Sequence, residues 1–214
     1  MAKAPRAGEV KTRLCPPFSP SEAAELYHCF LRDKIAQVRG LAGASPVIAF
    51  TPADGRSLFE GLAPGFRLIP QEGADLSSRL LNSLDQLVGE GHAGALLIDS
   101  DTPTLPADFL RRAVDLVATP EIDLVLGPSD DGGYYLIGMR TVRPTLFREI
   151  PWSTADVLSE TIKRAEAERL RIACLPPWFD VDTPGDLARL SASIAETDVE
   201  GPAHTRRFLL GREQ

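Results

Sequence analysis

The stretch GALLIDSD, residues 94–101, reads as a buried strand that ends in acidic side chains. Its apolar core has the length and composition of a strand covered on both faces, which suits the middle of a sheet. Asp99 and Asp101 follow directly. A second carboxylate is more than a helix cap needs, so the pair predicts a role beyond capping the helix that follows.

The segments on either side alternate between short apolar runs and longer amphipathic ones. This alternation predicts one layered α/β domain over residues 1–196 with a largely parallel sheet, followed by a C-terminal tail over 197–214. Ligands bind such sheets outside the carboxyl ends of the strands, where Asp99 and Asp101 are expected. Further strands are predicted at 46–51, 66–70, 123–128, 134–139 and 171–176, and helices at 19–40, 74–91, 106–119, 153–170 and 183–196.

Composition argues against several classes of protein. The 214 residues carry a formal net charge of −7, which weighs against a nucleic-acid partner. No apolar run approaches the roughly 18 residues that a membrane helix needs, and no apolar segment follows the basic N-terminus to form a secretory signal. The three cysteines, Cys15, Cys29 and Cys174, are too far apart for a disulfide framework or a zinc site. We therefore expect a cytoplasmic protein.

A second acidic stretch, FDVDTPGDL, covers residues 179–187. Thr183 as the cap, with Pro184 and Asp186 in the first turn, accounts for a helix start. That leaves Asp180 and Asp182 unexplained, although a purely structural loop is the alternative. Two strand ends could bring carboxylates from both stretches to one ion, and oxygen ligands suit Mg²⁺ or Mn²⁺.

Two glycine-bearing loops are also candidates for ligand binding. Residues 1–13 hold four basic side chains and one acidic one, which predicts a phosphate-binding loop, with a solvated basic terminus as the alternative. It is not a P-loop, because Val10 precedes Lys11 where that motif requires glycine. The stretch SDDGGYYLIG, residues 129–138, predicts a hairpin turn whose glycines could also admit a ligand close to the backbone.

Six motifs in order carry a family resemblance from residue 3 to residue 187. The sequence closely resembles a bacterial family of small glycosyltransferases within the nucleotide-diphospho-sugar transferase superfamily, some of them named as arsenosugar-biosynthesis glycosyltransferases. Similar signatures occur in 2-phospholactate and molybdenum-cofactor guanylyltransferases and in sugar-nucleotide cytidylyltransferases. The resemblance implies a GT-A fold, a three-layer α/β/α domain with a mixed, mostly parallel central sheet. The motifs are KAPRAGEVKTRL, QEGADLSSR, DSDTPTL, GPSDDGGYYLIG, PWSTADVL and DVDTPGDL.

The resemblance also implies roles for individual residues. Asp101 and Asp131 are implied in catalysis, and Asp101 and Asp182 as ligands of the metal, with Asp99 in support at a position where we expect glycine in this family. Trp152 would close the rim of the pocket, or else be an aromatic packed in the core. The remaining implied contacts are to nucleotide phosphates by Lys3, Gly8, Lys11 and Arg13, to the base by Gln71 and Gly73, and to the acceptor by Gly132, Gly133 and Tyr134.

The function that these implications favour is metal-dependent glycosyl transfer. A sugar would move from a nucleotide-diphospho-sugar to a small acceptor, with Mg²⁺ or Mn²⁺ neutralising the diphosphate. The nearest alternative is nucleotidyl transfer from a nucleoside triphosphate to a phosphorylated acceptor.

Two further alternatives come from other classes. A haloacid-dehalogenase-type phosphatase would use Asp99 as nucleophile and Asp101 as acid and base, although Pro103 stands where that motif requires Thr or Val. A non-catalytic nucleotide-binding protein is the other.

The resembling family has an apolar first strand before the position of Lys3. We expect an in-frame apolar run of about five or six residues upstream of Met1, which is a normal strand length. Otherwise the sheet lacks a central strand.

Overall fold

The computed structural model of the chain describes residues 1–196 and 201–211. Strands and helices alternate along most of this part, as the sequence predicts. The strands are β1 (Ala2–Lys3), β2 (Val47–Thr51), β3 (Arg67–Pro70), β4 (Ala95–Ile98), β5 (Leu124–Pro128), β6 (Tyr134–Met139) and β7 (Ile172–Cys174). The helices are α1 (Pro20–Arg39), α2 (Arg56–Leu62), α3 (Leu76–Gly89), α4 (Ala107–Ala118), α5 (Val157–Ala167), α6 (Pro184–Glu196) and α7 (Ala203–Leu210).

The strands form two sheets. Strands β1, β2 and β3 are parallel and lie in that order. The second sheet has the order β4-β6-β5-β7, in which β6 is antiparallel to both of its neighbours and β5 is parallel to β7. The predicted mixed α/β architecture is confirmed, with the central sheet divided in two.

Local sequence signals explain where the long helices begin. Ser19 caps α1 in a reciprocal capping box with Glu22, and Asp75 does the same for α3 with Ser78. At the start of α6, the Asp186 carboxylate accepts hydrogen bonds from the backbone N–H of Thr183, at 2.8 Å, and from its hydroxyl, at 2.7 Å. These caps satisfy N–H groups that have no partner within the helix.

Side chains along the second sheet alternate between two helical layers. Leu124 and Leu126 belong to the apolar cluster that includes α3 and α5, whereas Val125 and Leu136 pack with α4 on the opposite face. The period of two along each strand thus produces the predicted three-layer arrangement.

A gap separates the two sheets at their adjoining edges. The short strand β1 is bonded to both sides of it. On either side of β1, the Ala4 N–H donates to the Thr51 carbonyl at the end of β2, at 2.7 Å, and the Met1 ammonium donates to the Ile98 carbonyl of β4, at 2.8 Å. Behind Met1 the space between β2 and β4 is a cavity of about 280 Å³ that is lined largely by apolar side chains. We refer to this region as the seam.

The C-terminal segment contacts the first helix. Sequence reasoning assigned residues 197–214 to a tail; of these, the structure describes 201–211 and shows helix α7 packed on α1. The buried Asp33 carboxylate accepts hydrogen bonds from the backbone N–H groups of His204, at 2.9 Å, and Thr205, at 2.8 Å, at the start of α7. Phe208 lies against Phe18, with 5.9 Å between ring centroids.

No helix in the described part of the chain has both the length and the apolar character needed to cross a membrane.

Candidate functional site

A cleft of about 390 Å³ opens beyond the carboxyl ends of β1 and β4 and beside the start of β6. Most of the sequence-predicted site residues meet there. The predicted residues that line it are Lys3, Gln71, Asp99, Asp101, Asp131, Gly133, Tyr134 and Trp152, joined by Asp180.

Lys11 connects the two acidic stretches. Its Nζ lies 2.8 Å from an oxygen of Asp182 and also forms an ion pair with Asp101. The Lys11 side chain is only 4% exposed, whereas those of Asp101 and Asp182 are 36% and 39% exposed. Burial alone would lower the pKa of Lys11, but the charges of the two aspartates raise it overall. The predicted neighbourhood of Asp101 and Asp182 is therefore present, with an ammonium group between them.

The other residues of the basic loop are more open to solvent. Lys3 lines the cleft, and its Nζ donates to the Glu9 carbonyl at 2.8 Å. The Arg13 side chain is 70% exposed, with a nitrogen 3.9 Å from Asp182. Gly8 lies in an exposed turn, with open space where a side chain would project. Lys3, which also pairs with the Glu9 carboxylate at 3.9 Å, and Arg13 are thus both open enough to solvent to contact an anion, while Lys11 lies beneath the acidic pair.

Asp99 lies apart from the carboxylates that pair with Lys11. Its Oδ1 accepts a hydrogen bond from the Thr102 hydroxyl at 2.7 Å. The buried Lys34 ammonium donates to the same hydroxyl oxygen, at 3.1 Å, and to the Thr102 carbonyl, at 2.9 Å. Burial, and then the charge of Asp101, raises the pKa of Asp99 well above its usual range. Asp99 therefore belongs to an internal polar network as well as to the cleft wall.

The predicted base-contacting segment has a structural use of its own. The Gln71 amide donates to the carbonyls of Ala49, at 2.8 Å, and Ala2, at 3.2 Å, and so clamps β1 against β2. Gly73 has a φ of +134°, and a Cβ there would lie 2.3 Å from the Ser78 hydroxyl. Glycine is required at this position for the chain to turn into α3.

The SDDGG turn forms the opposite wall of the cleft. The Asp131 Oδ1 accepts a hydrogen bond from the Gly133 N–H at 2.9 Å. Gly132 has a φ of +89°, and a Cβ there would lie 2.2 Å from the Ala155 carbonyl oxygen. Asp180 receives a hydrogen bond from the Ser129 hydroxyl at 3.1 Å. Burial, and then the charges of Asp131 and Asp182, raises the pKa of Asp180 to about 6.

Two aromatic rings close the same wall. Tyr134 and Trp152 contact each other edge to face, with 6.2 Å between ring centroids. The Trp152 indole N–H donates to the Ser77 hydroxyl at 2.6 Å, and that hydroxyl donates to the Phe147 carbonyl at 2.7 Å. Trp152 thus lines the cleft and is fixed by packing, so both of its predicted environments are present.

Sequence reasoning did not identify Tyr27 as part of the site. Its hydroxyl shares a hydrogen bond of 2.7 Å with Ser100 and accepts one of 3.1 Å from the Lys3 N–H. The Tyr27 ring also lies 5.9 Å from the Lys11 Nζ. A tyrosine at a core position of an amphipathic helix reads as packing, so the sequence gives no signal for this contact.

The donor set can be tested for a divalent metal. Among residues 1–196 and 201–211, no three histidine, cysteine, aspartate or glutamate side chains converge as a complete metal-binding group. Asp101 and Asp182 offer oxygen donors on adjacent loops, as Mg²⁺ and Mn²⁺ require. Mg²⁺ is commonly held by one or two carboxylates together with substrate phosphates. The residues present fit an ion that shares its coordination with a phosphate ligand.

Comparisons with known proteins find relatives by sequence and by structure. A family model described as "Uncharacterized protein conserved in bacteria (DUF2064)" matches residues 34–154. The phosphoenolpyruvate guanylyltransferase of Rubrobacter xylanophilus is 32% identical in an alignment of 191 positions that covers 86% of this chain and 88% of that protein. A crystal structure from Desulfovibrio desulfuricans G20, described provisionally as a nucleotide-diphospho-sugar transferase, has a TM-score of 0.91 and 32% identity, over 99% of this chain and 92% of that one.

A more distant structure supports the fold alone. A cytidylyltransferase from Leptospira borgpetersenii has a TM-score of 0.57 at 12% identity, over 99% of this chain and 92% of that one. The predicted GT-A type of fold is confirmed by these likenesses, and the relatives are transferases, which disfavours the phosphatase alternative.

Proposed function

Because the chain belongs to the bacterial DUF2064 family, we propose that it is a nucleotide-utilising transferase that moves a sugar from a nucleotide-diphospho-sugar to a small hydroxyl-bearing acceptor. The observation that carries this proposal is the set of charged and aromatic side chains that line the cleft. Asp131 and Asp180 line the wall at the SDDGG turn, which we call the acceptor wall, beside the rings of Tyr134 and Trp152. Lys3 is the one basic side chain among the described residues that line the cleft.

The charges in the cleft favour a neutral acceptor. Carboxylates would repel a phosphorylated acceptor at close range, whereas they accept hydrogen bonds from hydroxyl groups. Aromatic faces beside them suit the apolar faces of a sugar ring. A hydroxyl-bearing acceptor therefore fits this wall better than an anionic one.

The nucleotide diphosphate fits the side of the cleft where Lys3 lies. Lys3 and Arg13 would hold phosphate oxygens, and charge-assisted hydrogen bonds of this kind are about twice as strong as neutral ones. Asp101 and Asp182 would hold Mg²⁺ or Mn²⁺, whose positive charge would offset that of the diphosphate when bound.

Transfer needs one proton to be removed from the acceptor. The bond between the acceptor oxygen and the anomeric carbon forms as the bond from that carbon to the diphosphate oxygen breaks. In this proposal Asp131 accepts the hydroxyl proton, because its carboxylate lies on the acceptor wall and is oriented by the Gly133 N–H. The nucleoside diphosphate leaves with the electron pair of the broken bond.

Nucleotidyl transfer is the second candidate because of the guanylyltransferase relative. The deciding experiment incubates the protein with Mn²⁺ and a panel of nucleotide sugars and acceptors, and separately with GTP and phosphoenolpyruvate. Release of a nucleoside diphosphate in the first reaction supports glycosyl transfer, and release of pyrophosphate in the second overturns it. Binding without turnover in both would favour the non-catalytic alternative.

The role of Asp131 can be tested with a matched neighbour. Asp131→Asn should lower the rate of diphosphate release by about 10²-fold or more, the range expected for loss of a general base. Asp130→Asn is the control, because Asp130 forms an ion pair with Arg189 and is absent from the cleft wall among the described residues. Equal effects of the two substitutions would exclude Asp131 as the base.

A further inference from the structure

The proposed reaction gives no role to Lys11, whose ammonium group lies between Asp101 and Asp182. Lys11 was predicted to hold phosphates, yet its side chain is buried under the two carboxylates. Its Nζ lies 5.9 Å from the ring centroid of Tyr27 and 5.8 Å from that of Phe30. The ammonium group therefore lies near two aromatic rings and is paired with both carboxylates, of which Asp101 lines the cleft.

We propose that Lys11 is a built-in counter-cation, which holds Asp101 and Asp182 together and weakens their affinity for a bare divalent ion. The metal would consequently bind well only together with the phosphates of a nucleotide. This inference rests on the proposed function, in which the same two aspartates are the metal's protein ligands.

Charge balance gives the physical reason. Two carboxylates carry a charge of −2, of which Lys11 cancels half at direct contact, and Arg13 lies 3.9 Å from Asp182 as a further cation. Cation sites lose affinity as the net charge of their ligands falls. A nucleotide diphosphate restores the missing negative charge with its own oxygens.

The coupling has a second consequence. If phosphate raises the affinity for the metal, the metal raises the affinity for the nucleotide by the same factor. Binding in either order would then lead to a complete site, and neither partner alone would bind tightly. Shared coordination of the metal by phosphate oxygens also couples the two ligands, so the contribution of Lys11 is measured by the change in Mn²⁺ affinity when its charge is removed.

The test is calorimetric titration of MnCl₂ into the protein, with and without saturating GDP. In the wild type we expect Mn²⁺ to bind at least about tenfold more tightly when GDP is present, which is about 1.4 kcal/mol. Lys11→Met should bind Mn²⁺ alone about tenfold more tightly than the wild type and should gain less from GDP. Lys163→Met is the control, since it removes the same charge from the exposed face of α5, where Lys163 pairs with Glu160, and it should leave the affinity for Mn²⁺ alone unchanged.

Two results would overturn the inference. One is equal Mn²⁺ affinity of the wild type with and without GDP. The other is a Lys11→Met variant that folds but binds Mn²⁺ alone no more tightly than the wild type does. If Lys11→Met does not fold, Lys11→Arg keeps the charge and should retain weak binding of Mn²⁺ alone, while tight binding by that variant would contradict the proposal.

Separate variants test the metal site itself. Asp101→Asn and Asp182→Asn should each abolish Mn²⁺ binding in the presence of GDP. If neither does, the proposed site of the metal is wrong whatever Lys11 does. If both do while Lys11→Met has no effect, the counter-cation inference alone fails.

Discussion

The two sheets that flank the cleft are secured very differently. Strand β6 pairs with β4 from Ala95 opposite Met139 to Ile98 opposite Leu136, and it pairs with β5 on its other side. Strand β1 pairs with β2 at two positions only, and behind it lies the cavity of the seam. The acceptor wall therefore adjoins β6, which is paired on both sides. The wall with Lys3 and Gln71 depends on β1, which is only two residues long.

One wall of the cleft is therefore held more firmly than the other. Local stability follows the density of buried apolar contacts and of protected backbone hydrogen bonds. Opening should therefore begin at the seam rather than in the β4-β6-β5-β7 sheet, and the following substitutions examine that contrast.

The largest effect is expected from removing a buried side chain from the β4-β6-β5-β7 sheet. Ile137→Ala removes a side chain that is 1% exposed in β6, and it should lower the free energy of unfolding by about 4 kcal/mol. Ile48→Ala, at a position that lines the seam cavity, should cost about 2 kcal/mol, because part of the space beside it is already empty. Urea denaturation of both variants measures the difference. Equal losses would contradict the contrast between the two regions.

Filling the seam should have the next largest effect. Five apolar residues joined to the amino end of Met1 would continue β1 along Ala49, Ile48 and Val47 on one side and β4 on the other. Burial of about 1.5–3 kcal/mol per side chain exceeds an ordering cost of about 1.5 kcal/mol per residue. We expect a net gain of about 3 kcal/mol, or about 6–12 °C in melting temperature.

Two controls accompany this extension. Five glycine and serine residues joined to Met1 should give little gain, because they bury little apolar surface. The extension also replaces the Met1 ammonium, whose pKa is lowered to about 6 by burial. The wild type should therefore gain stability between pH 6 and 8, where its folded state binds fewer protons than its unfolded state, and the extended protein should lack this gain. An unchanged melting temperature would mean that the seam does not accept a strand.

Sequence reasoning predicted the parts of the fold that depend on local signals. A strand within GALLIDSD was correctly predicted, but β4 lies at the edge of its sheet beside the seam and not in the middle. Thr183 caps the start of α6 as predicted, since its hydroxyl accepts a hydrogen bond from the Asp186 N–H at 3.3 Å. Helix α2 was missed, since RSLFEGL is short and its start has no side-chain cap. The two-residue strand β1 was missed for a similar reason, and the apolar run expected upstream of Met1 stays a prediction.

The residues of the candidate site could be predicted from the sequence, but the contacts between them could not. Asp101 and Asp182 were placed near each other because both follow strands that end at one edge of the domain. The insertion of Lys11 between them joins residues 171 positions apart, and the docking of α7 through Asp33 spans the same separation from His204. Such contacts depend on the completed fold, and no local pattern in the sequence encodes them.

A smaller effect is expected from the buried charge that lines the seam. Burial lowers the pKa of Lys34 to about 8, against the opposing charges of Asp99, Asp101 and Asp33. Below pH 8 Lys34 is protonated in both the folded and the unfolded state, so the free-energy cost of burying its ammonium group is fully present. Above pH 8 the folded state loses this proton before the unfolded state does, and that cost falls. Relative to Lys34→Met, the wild type should therefore gain about 1–2 kcal/mol of stability between pH 7 and 9.5. Urea denaturation at both pH values gives the difference, and parallel profiles of the two proteins would contradict it.

The smallest effect is expected at the far edge of the paired sheet, where Asp123 and Arg171 form an exposed ion pair. Asp123 accepts hydrogen bonds from the Arg171 backbone N–H, at 2.9 Å, and from its guanidinium, at 2.8 and 3.0 Å. These bonds lower the pKa of Asp123 to about 2. The stabilisation is therefore complete above the ordinary carboxyl range and is lost as the pH falls through about 2.

Because the pair is exposed to solvent, Asp123→Asn should lower the free energy of unfolding by less than about 1 kcal/mol at pH 7. The difference from the wild type should shrink between pH 4 and 2.5, and the exposed Asp85→Asn serves as a control that should change neither value. Thermal unfolding at both pH values and at two salt concentrations measures the effect. A loss as large as that of Ile137→Ala would mean that a surface clamp, rather than the paired backbone and its buried side chains, secures this edge of the sheet.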